Sequence, residues 1–205
     1  MRDRPLRVQF QFDLRKGTQA LNFFAIQEGG GINKMKALKL IYFADKFHLR
    51  KYGRLITNDE YLAMRYGPVP SAVKDIAEAN DYLEENIREY SSNYVEPSDN
   101  LVLKSVGAID ESVFSESDLE ALNFAWEKFG QYDQFILAEI THRYPEWKHC
   151  ERYLSSPGSC RQMDIFDFLK DPASEVEVCF ELNAEDKRVR KEQISERSHI
   201  ESLWG

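Results

Sequence analysis

The fold of this chain is decided by residues 34–52, KMKALKLIYFADKFHLRKY, which form its longest uninterrupted helical pattern. On a helix that advances about 100° per residue, apolar side chains cover almost the whole circumference. Only a narrow stripe is polar, and it consists of Lys39, Lys46 and Arg50. A helix that is apolar nearly all round lies in a protein core. We therefore predict a buried central helix over about 33–52, with Asn33 as its N-cap and the basic stripe as a solvated edge.

One carboxylate lies inside the apolar surface of this helix. Asp45 falls on the face that also carries Tyr42, and a buried carboxylate is costly unless it is hydrogen-bonded or paired. Three kinds of partner are open to it: Arg65, His48 one turn further on, or the free backbone N–H groups of a turn, of which the loop 66–71 is one source. We expect Asp45 to tie this loop to the central helix.

The loop belongs to the stretch MRYGPVPSAV, residues 64–73. Pro68 and Pro70 restrict the backbone, and Gly67 permits conformations that other residues avoid. Ser71 is predicted to cap the helix that follows over about 72–85. We interpret the stretch as a joint that supports the scaffold, and a contact role for Tyr66, Pro68 and Pro70 is the alternative.

The remaining patterns predict a mainly α protein with one small antiparallel sheet. Alternating and β-prone residues place its strands at about 7–12, 61–66 and 93–105. Helices are expected from about Leu14, with Asp13 as the cap, to the glycines at 29–31, from Ser115, where an acidic first turn suits a helix N-terminus, to Gly130, and over 131–144. We assign residues 1–180 to a single helical domain. Residues 181–205 form a charged C-terminal extension, which we expect to be helical with a thin apolar face.

Composition limits the class of partner. The chain has 205 residues, 42% of them apolar, and a formal net charge of −8, which argues against neutralisation of nucleic-acid phosphates.

No apolar run reaches about 18 residues, so no membrane-spanning helix is expected. The N-terminal stretch lacks the apolar core of a signal peptide. The three cysteines are widely spaced, as in free thiols of a reducing compartment, and we predict a cytoplasmic protein.

No pattern predicts a catalytic, cofactor or metal site. Asp45 and His48, with Tyr42, could be read as an acid–base set, but no nucleophile accompanies them and this spacing is common on helices. Four further residues could be imagined as metal ligands, but their spacing fits no zinc pattern: His142, His149, Cys150 and Cys160. We therefore expect a protein that is not an enzyme.

The block INKMKALKLIYFADKFHLRKYGRLITNDEYLAMRYGPVPSAVKDI, residues 32–76, resembles the signature of the Panacea domain, the SocA-like antitoxin family. The stretches SESDLEALNFAWEKFG and EITHRYPEWK are similar to the second half of that family, so the resemblance covers about 10–170. Asn58 stands where the family often has glycine. The matching positions are Lys36, Leu38, Lys39, Leu40, Tyr42, Ala44, Asp45, Leu49, Gly53, Ile56, Thr57, Asp59, Tyr61, Gly67, Pro68, Val69, Pro70, Ser71 and Val73.

The resemblance implies a function for this chain. It implies an antitoxin of a toxin–antitoxin system that neutralises a toxin, encoded by a neighbouring gene, through direct protein contact. A cellular protease is a second partner that it implies, with the antitoxin as adaptor. The alternative is a phage-associated interaction module with a non-toxin partner, and a hydrolase built on Asp45 and His48 ranks last. The candidate structural or contact residues are Tyr42, Asp45, His48, Tyr52, Arg65, Tyr66, Gly67, Pro68, Pro70 and Ser71.

Overall fold

A computed structural model of the chain describes residues 10–156, 158–173 and 176–204. Within these ranges the mainly α fold with a small antiparallel β component is confirmed. The helices are α1 Leu14–Gln27, α2 Lys34–Tyr52, α3 Ser71–Glu78, α4 Glu85–Ser92, α5 Glu116–Phe129, α6 Gln134–Thr141, α7 Pro145–Glu151 and α8 Ala184–Trp204. Two 3-10 helices lie at Glu111–Val113 and Ile165–Leu169. Among the described helices, none combines the length and the apolar character needed to cross a membrane.

Helix α2 is the core of the molecule, as predicted. Every residue from Lys36 to Arg50 is buried. Helix α5 packs along α2, and α1, α3 and α6 also lie against it. The contact with α5 includes two stacked ring pairs, Phe43 with Phe129 and Phe47 with Phe124, whose centroids are 3.8 and 4.2 Å apart.

Local capping fixes where three helices begin. The side chains of Asp13 and Asn33 accept hydrogen bonds from the backbone N–H groups of Lys16 and Lys36 at the starts of α1 and α2. Ser115 and Asp118 form a reciprocal capping box at the start of α5. These caps were predicted because each acts on backbone groups within three residues of itself.

The strands form two sheets instead of the single sheet that the sequence predicts. In one sheet, β1 (Gly31–Asn33) and β4 (Val95–Pro97) flank β5 (Val102–Ser105). In the other, β3 (Gly67–Pro70) and β6 (Arg161–Gln162) flank β2 (Tyr61–Met64). All pairings are antiparallel.

The structure tests only the second half of the predicted strand at 7–12, and that half is wrong. Residues 7–9 lie outside the described ranges, and residues 10–12 belong to no strand. This segment is held by other contacts: Asp13 N donates to Thr57 O at 2.8 Å, and the ring of Phe12 packs on Gly17. An extended segment that packs through side chains needs no ladder of backbone hydrogen bonds.

The charged tail forms a helix, α8, that packs on the end of α2. Ile194 is completely buried. The guanidinium group of Arg190 donates to Arg50 O at 3.0 Å and also to Lys51 O. The last carbonyls of a helix receive no hydrogen bond from the N–H groups of the same helix. Arg190 therefore donates to two carbonyls at the end of α2 that lack an intrahelical donor.

We expect Arg190→Ala to destabilise the protein by about 1–2 kcal/mol, because two half-buried carbonyls lose their donor. The free energy of unfolding is measured by urea denaturation followed by circular dichroism. Arg188→Ala is the matched control, since Arg188 is exposed and its ion-pair partners among the described residues are Glu185 and Glu192 on the same helix. Equal effects of the two changes would contradict the capping role.

Candidate interaction site

The carboxylate of Asp45 is completely buried and accepts four hydrogen bonds. The donors are Ile56 N at 2.6 Å, Thr57 N at 3.2 Å, Thr57 Oγ1 at 2.6 Å and Tyr61 OH at 2.8 Å. Burial raises the pKa of Asp45, and these hydrogen bonds act in the opposite direction. Asp45 therefore ties the turn before β2 to α2.

The prediction that backbone N–H groups of a turn bind Asp45 is confirmed, but the turn is the one at Ile56 and Thr57, and Arg65, His48 and the loop 66–71 were the wrong sources. Arg65 is exposed, and the loop 66–71 makes no bond to the carboxylate. The imidazole of His48 has partners of its own. The prediction failed because several segments of similar sequence distance offer free N–H groups, and only the packed chain shows which of them reaches Asp45.

A second buried carboxylate starts helix α3. The side chain of Asp59 accepts from Ala72 N at 3.0 Å and from Val73 N at 2.8 Å. The predicted Ser71 cap is wrong, because Pro70 occupies the N-cap position and makes no side-chain hydrogen bond to the helix. Burial raises the pKa of Asp59 to about 7, and Asp45 adds to the rise. A distant carboxylate thus replaces the local cap.

The stretch around Gly67 is the second strand of a hairpin, not a loop. Gly67 lies opposite Met64 in the β2–β3 ladder and has a φ of 99°. A Cβ at this position would overlap Thr141 Oγ1 of helix α6, so only glycine fits. Gly67–Pro70 is entirely buried, and the carbonyl of Pro68 accepts from Lys39 Nζ at 2.6 Å.

The predicted site residues therefore divide into interior and surface groups. The hairpin tip exposes Arg65 and Tyr66, the latter to 53%, with the guanidinium carbon 5.9 Å from the ring centroid. Tyr52 is 38% exposed and donates to Glu120. Pro68 and Pro70 are buried, so a partner could contact them only after the hairpin opened. Ser71 is half-buried.

The basic stripe of α2 is buried, which corrects the predicted solvated edge. Lys39, Lys46 and Arg50 are each at most 1% exposed. Lys46 Nζ donates to Glu146 Oε1 at 2.6 Å. The guanidinium of Arg50 donates to the carbonyls of Phe168, Lys170 and Phe180 and to the carboxylate of Asp171. Their acceptors come largely from the second half of the chain, which a helical wheel of α2 cannot reveal.

Glu146 joins the central helix to α7. Its Oε1 atom accepts from Tyr42 OH at 2.5 Å as well as from Lys46, and both partners are completely buried. Desolvation raises the pKa of Tyr42 well above its usual value, and the neighbouring charge of Glu146 acts in the same direction. Tyr42 is thus a donor in a buried network.

The acid–base set of Tyr42, Asp45 and His48 is not assembled. His48 Nδ1 bonds to Arg54 O at 2.8 Å, and Nε2 lies 3.0 Å from Ser117 Oγ. Burial lowers the pKa of His48 to about 4, so the imidazole is neutral at physiological pH. Among the residues that the structure describes, Asp45 and His48 share no hydrogen-bond partner, and both are completely buried. Within the described ranges, no three His, Cys, Asp or Glu residues are grouped to hold a metal ion.

The structure also presents a charged surface that the sequence analysis overlooked. We define the acidic face as Asp81, Tyr82, Glu84, Glu85 and Glu89, at and before helix α4. All five residues are exposed, and Tyr82 is exposed to 94%. The four carboxylates have no salt-bridge partner in the part of the chain that the structure describes. A local charge count would have revealed it, since residues 75–120 hold thirteen acidic residues and only two basic ones.

These features define the class of the protein: a mainly α scaffold whose central helix uses its charges internally and whose exposed charges lie in other segments. The family model described as antitoxin SocA-like, Panacea domain, matches residues 38–148, which is more than half of the chain. The protein belongs to this family, and the resemblance is confirmed. Searches among curated proteins and solved structures gave no significant match.

We expect Asp45→Ala to lower the free energy of unfolding by about 3 kcal/mol, because four buried donors lose their acceptor. Asp45→Asn retains one carbonyl oxygen and should cost less. Asp81→Ala, at an exposed carboxylate, is the control for the loss of an aspartate. Urea denaturation compares the three variants, and an unchanged midpoint for Asp45→Ala would refute the role of Asp45.

A pH dependence follows from Lys39. Burial lowers the pKa of Lys39 to about 7, whereas a lysine in the unfolded chain titrates near about 10.4. Between these values the unfolded chain binds more protons than the folded chain, so stability rises with pH. We expect a slope of up to about 1.4 kcal/mol per pH unit above neutrality.

Lys39→Met should remove the contribution of Lys39 and leave the opposite, smaller contribution of Asp59, whose folded pKa is about 7, whereas Lys191→Met, at an exposed lysine, should keep the wild-type pH dependence. The free energy of unfolding is measured by urea denaturation between about pH 7 and 8, below the pKa of about 8.5 of cysteine thiols in an unfolded chain. The same pH dependence in the wild-type protein and in Lys39→Met would contradict the prediction.

Proposed function

We propose that this protein is a cytoplasmic antitoxin that silences a cognate protein toxin by direct binding, and that the toxin is encoded by a neighbouring gene. The observation that carries the proposal is the family match over residues 38–148. A buried acid–base pair without a shared partner offers no support for the hydrolase alternative. We further propose that residues 1–180 form the antitoxin domain and that residues 181–205 are an extension of it.

The acidic face is the surface that we propose for the toxin. Exposed carboxylates without partners attract a basic surface and speed its association. Tyr82 provides a large side chain that a partner could bury, and tyrosine is enriched among residues that dominate binding energy. A toxin that acts on nucleic acid or ribosomes would carry such a basic surface.

The hairpin tip is the second surface that we propose for protein contact. Arg65 and Tyr66 are exposed on a turn whose flanking strands are fixed by the core. A rigid support reduces the entropy that the exposed residues lose on binding. Delivery of the bound toxin to a cellular protease is the form of neutralisation that would require a second partner, and we propose it as a role of this protein.

Co-expression tests the function. The neighbouring gene is expressed alone and together with this chain, and growth and co-purification are measured. We expect arrest of growth by the neighbour alone, rescue by this chain, and a stable complex. A neighbour that is harmless alone, or that does not co-purify, would refute the antitoxin function and would favour an interaction module with a non-toxin partner.

Glu85→Gln with Glu89→Gln tests the acidic face. We expect the association rate of the complex to fall about tenfold, because the attraction for a basic surface is reduced. The matched control is Glu127→Gln with Glu139→Gln, which removes two exposed carboxylates outside the acidic face. Association is followed by surface plasmon resonance at low ionic strength. Equal effects of the two double variants would exclude the acidic face as the contact.

A further inference from the structure

A cleft lies between helix α7 and the segment that includes β6 and the second 3-10 helix. Its volume is about 430 Å³. The lining residues are Lys148, His149, Cys150, Arg152, Gln162, Asp164 and Asp167. The cleft is separate in sequence from the acidic face, and its exposed charges are mainly of the opposite sign.

Two cations of the cleft have no charged partner. Lys148 and Arg152 are exposed, and neither forms a salt bridge with any residue that the structure describes. His149 is bonded to Asp167 through Nδ1, so a ligand in the cleft would meet Nε2. Lys148 and Arg152 therefore offer charged hydrogen-bond donors that no described carboxylate engages.

A tyrosine holds two arginines in place at the edge of the cleft. The guanidinium carbons of Arg152 and Arg161 lie 4.8 and 5.0 Å from the centroid of the Tyr153 ring. Arg152 Nη2 also donates to Tyr153 OH at 2.8 Å. Stacking on an aromatic ring restricts a guanidinium group and leaves its remaining N–H groups free to bind a carboxylate. Less side-chain entropy is then lost when an anion binds.

The two acidic residues in the wall are already engaged within the protein. Asp167 is bonded by His149 and by Lys170. Asp164 accepts from Phe166 N at 2.9 Å and thereby caps the 3-10 helix. Lys148 and Arg152 in the lining, and Arg161 stacked on Tyr153 beside it, therefore remain as cations without an ion-pair partner among the described residues, while Asp164 remains as one exposed carboxylate of the wall.

We propose that this cleft binds a carboxylate-rich segment of a partner protein. Closely spaced donors suit one or two carboxylate groups, and arginine binds a carboxylate with two parallel hydrogen bonds. A single-stranded nucleic acid would need aromatic faces on which its bases stack, and here the ring of Tyr153 is occupied by guanidinium groups.

The proposed ligand differs from the proposed toxin in charge. A basic toxin would be attracted to the acidic face and repelled by this cleft, so the two surfaces can bind two proteins of different chemistry. The proposal needs no toxin, and its failure would leave the antitoxin function untouched.

Fluorescence anisotropy with a fluorescein-labelled octaglutamate peptide tests the cleft. We expect binding by the wild-type protein that weakens about tenfold or more in Lys148→Glu with Arg152→Glu, since two charge-assisted contacts become repulsive. Both side chains are exposed, so unchanged thermal unfolding should accompany the loss. Lys191→Glu with Arg188→Glu on helix α8 makes the same change of net charge elsewhere and should weaken binding much less.

Two outcomes would overturn the proposal. One is an equal loss of octaglutamate binding in both double variants, or no binding by the wild-type protein, which would leave no site at the cleft. The other is tighter binding of labelled decauridylate than of octaglutamate, lost in Lys148→Glu with Arg152→Glu, which would make the cleft a nucleic-acid site. Amide shifts confined to residues 148–167 in an NMR titration with octaglutamate would support it.

Discussion

The charges on the buried helix α2 constrain the rest of the molecule. Lys39, Asp45, Lys46 and Arg50 are all removed from water, and an unpaired ion in a protein interior costs several kcal/mol. The backbone groups of α2 are bonded within the helix, so each ion needs partners from another element. The turn before β2, strand β3, helix α7 and the segment after the second 3-10 helix provide them. Apolar packing brings these elements onto α2, and the ions select the positions at which they meet it.

This use of charge leaves little of the family signature at the surface. Most of the block at 32–76 serves to build the scaffold, and the hairpin tip with Arg65 and Tyr66 is its main exposed feature among the candidate residues. The acidic face and the cleft beside helix α7 are formed by segments that follow the block.

The features predicted correctly are those that depend on nearby residues. Asp13, Asn33 and Ser115 cap helices whose free N–H groups lie within three positions, so the sequence around each is sufficient. The need of Asp45 for donors was also predictable from its place among apolar residues. The identity of those donors was not predictable, because several other N–H groups lie about as close to Asp45 in sequence as those of Ile56 and Thr57 do.

The sequence by itself determined the helical periodicity, the local caps, the buried character of α2 and the family to which the chain belongs. Only the tertiary structure decided that Asp59 replaces Ser71 as a cap, that Lys46 meets Glu146 across 100 positions of sequence, and that the strands form two sheets. The physical reason is the range of the interactions. Caps and periodicity act within one or two helical turns, whereas the desolvation of a charge depends on every element that packs against it.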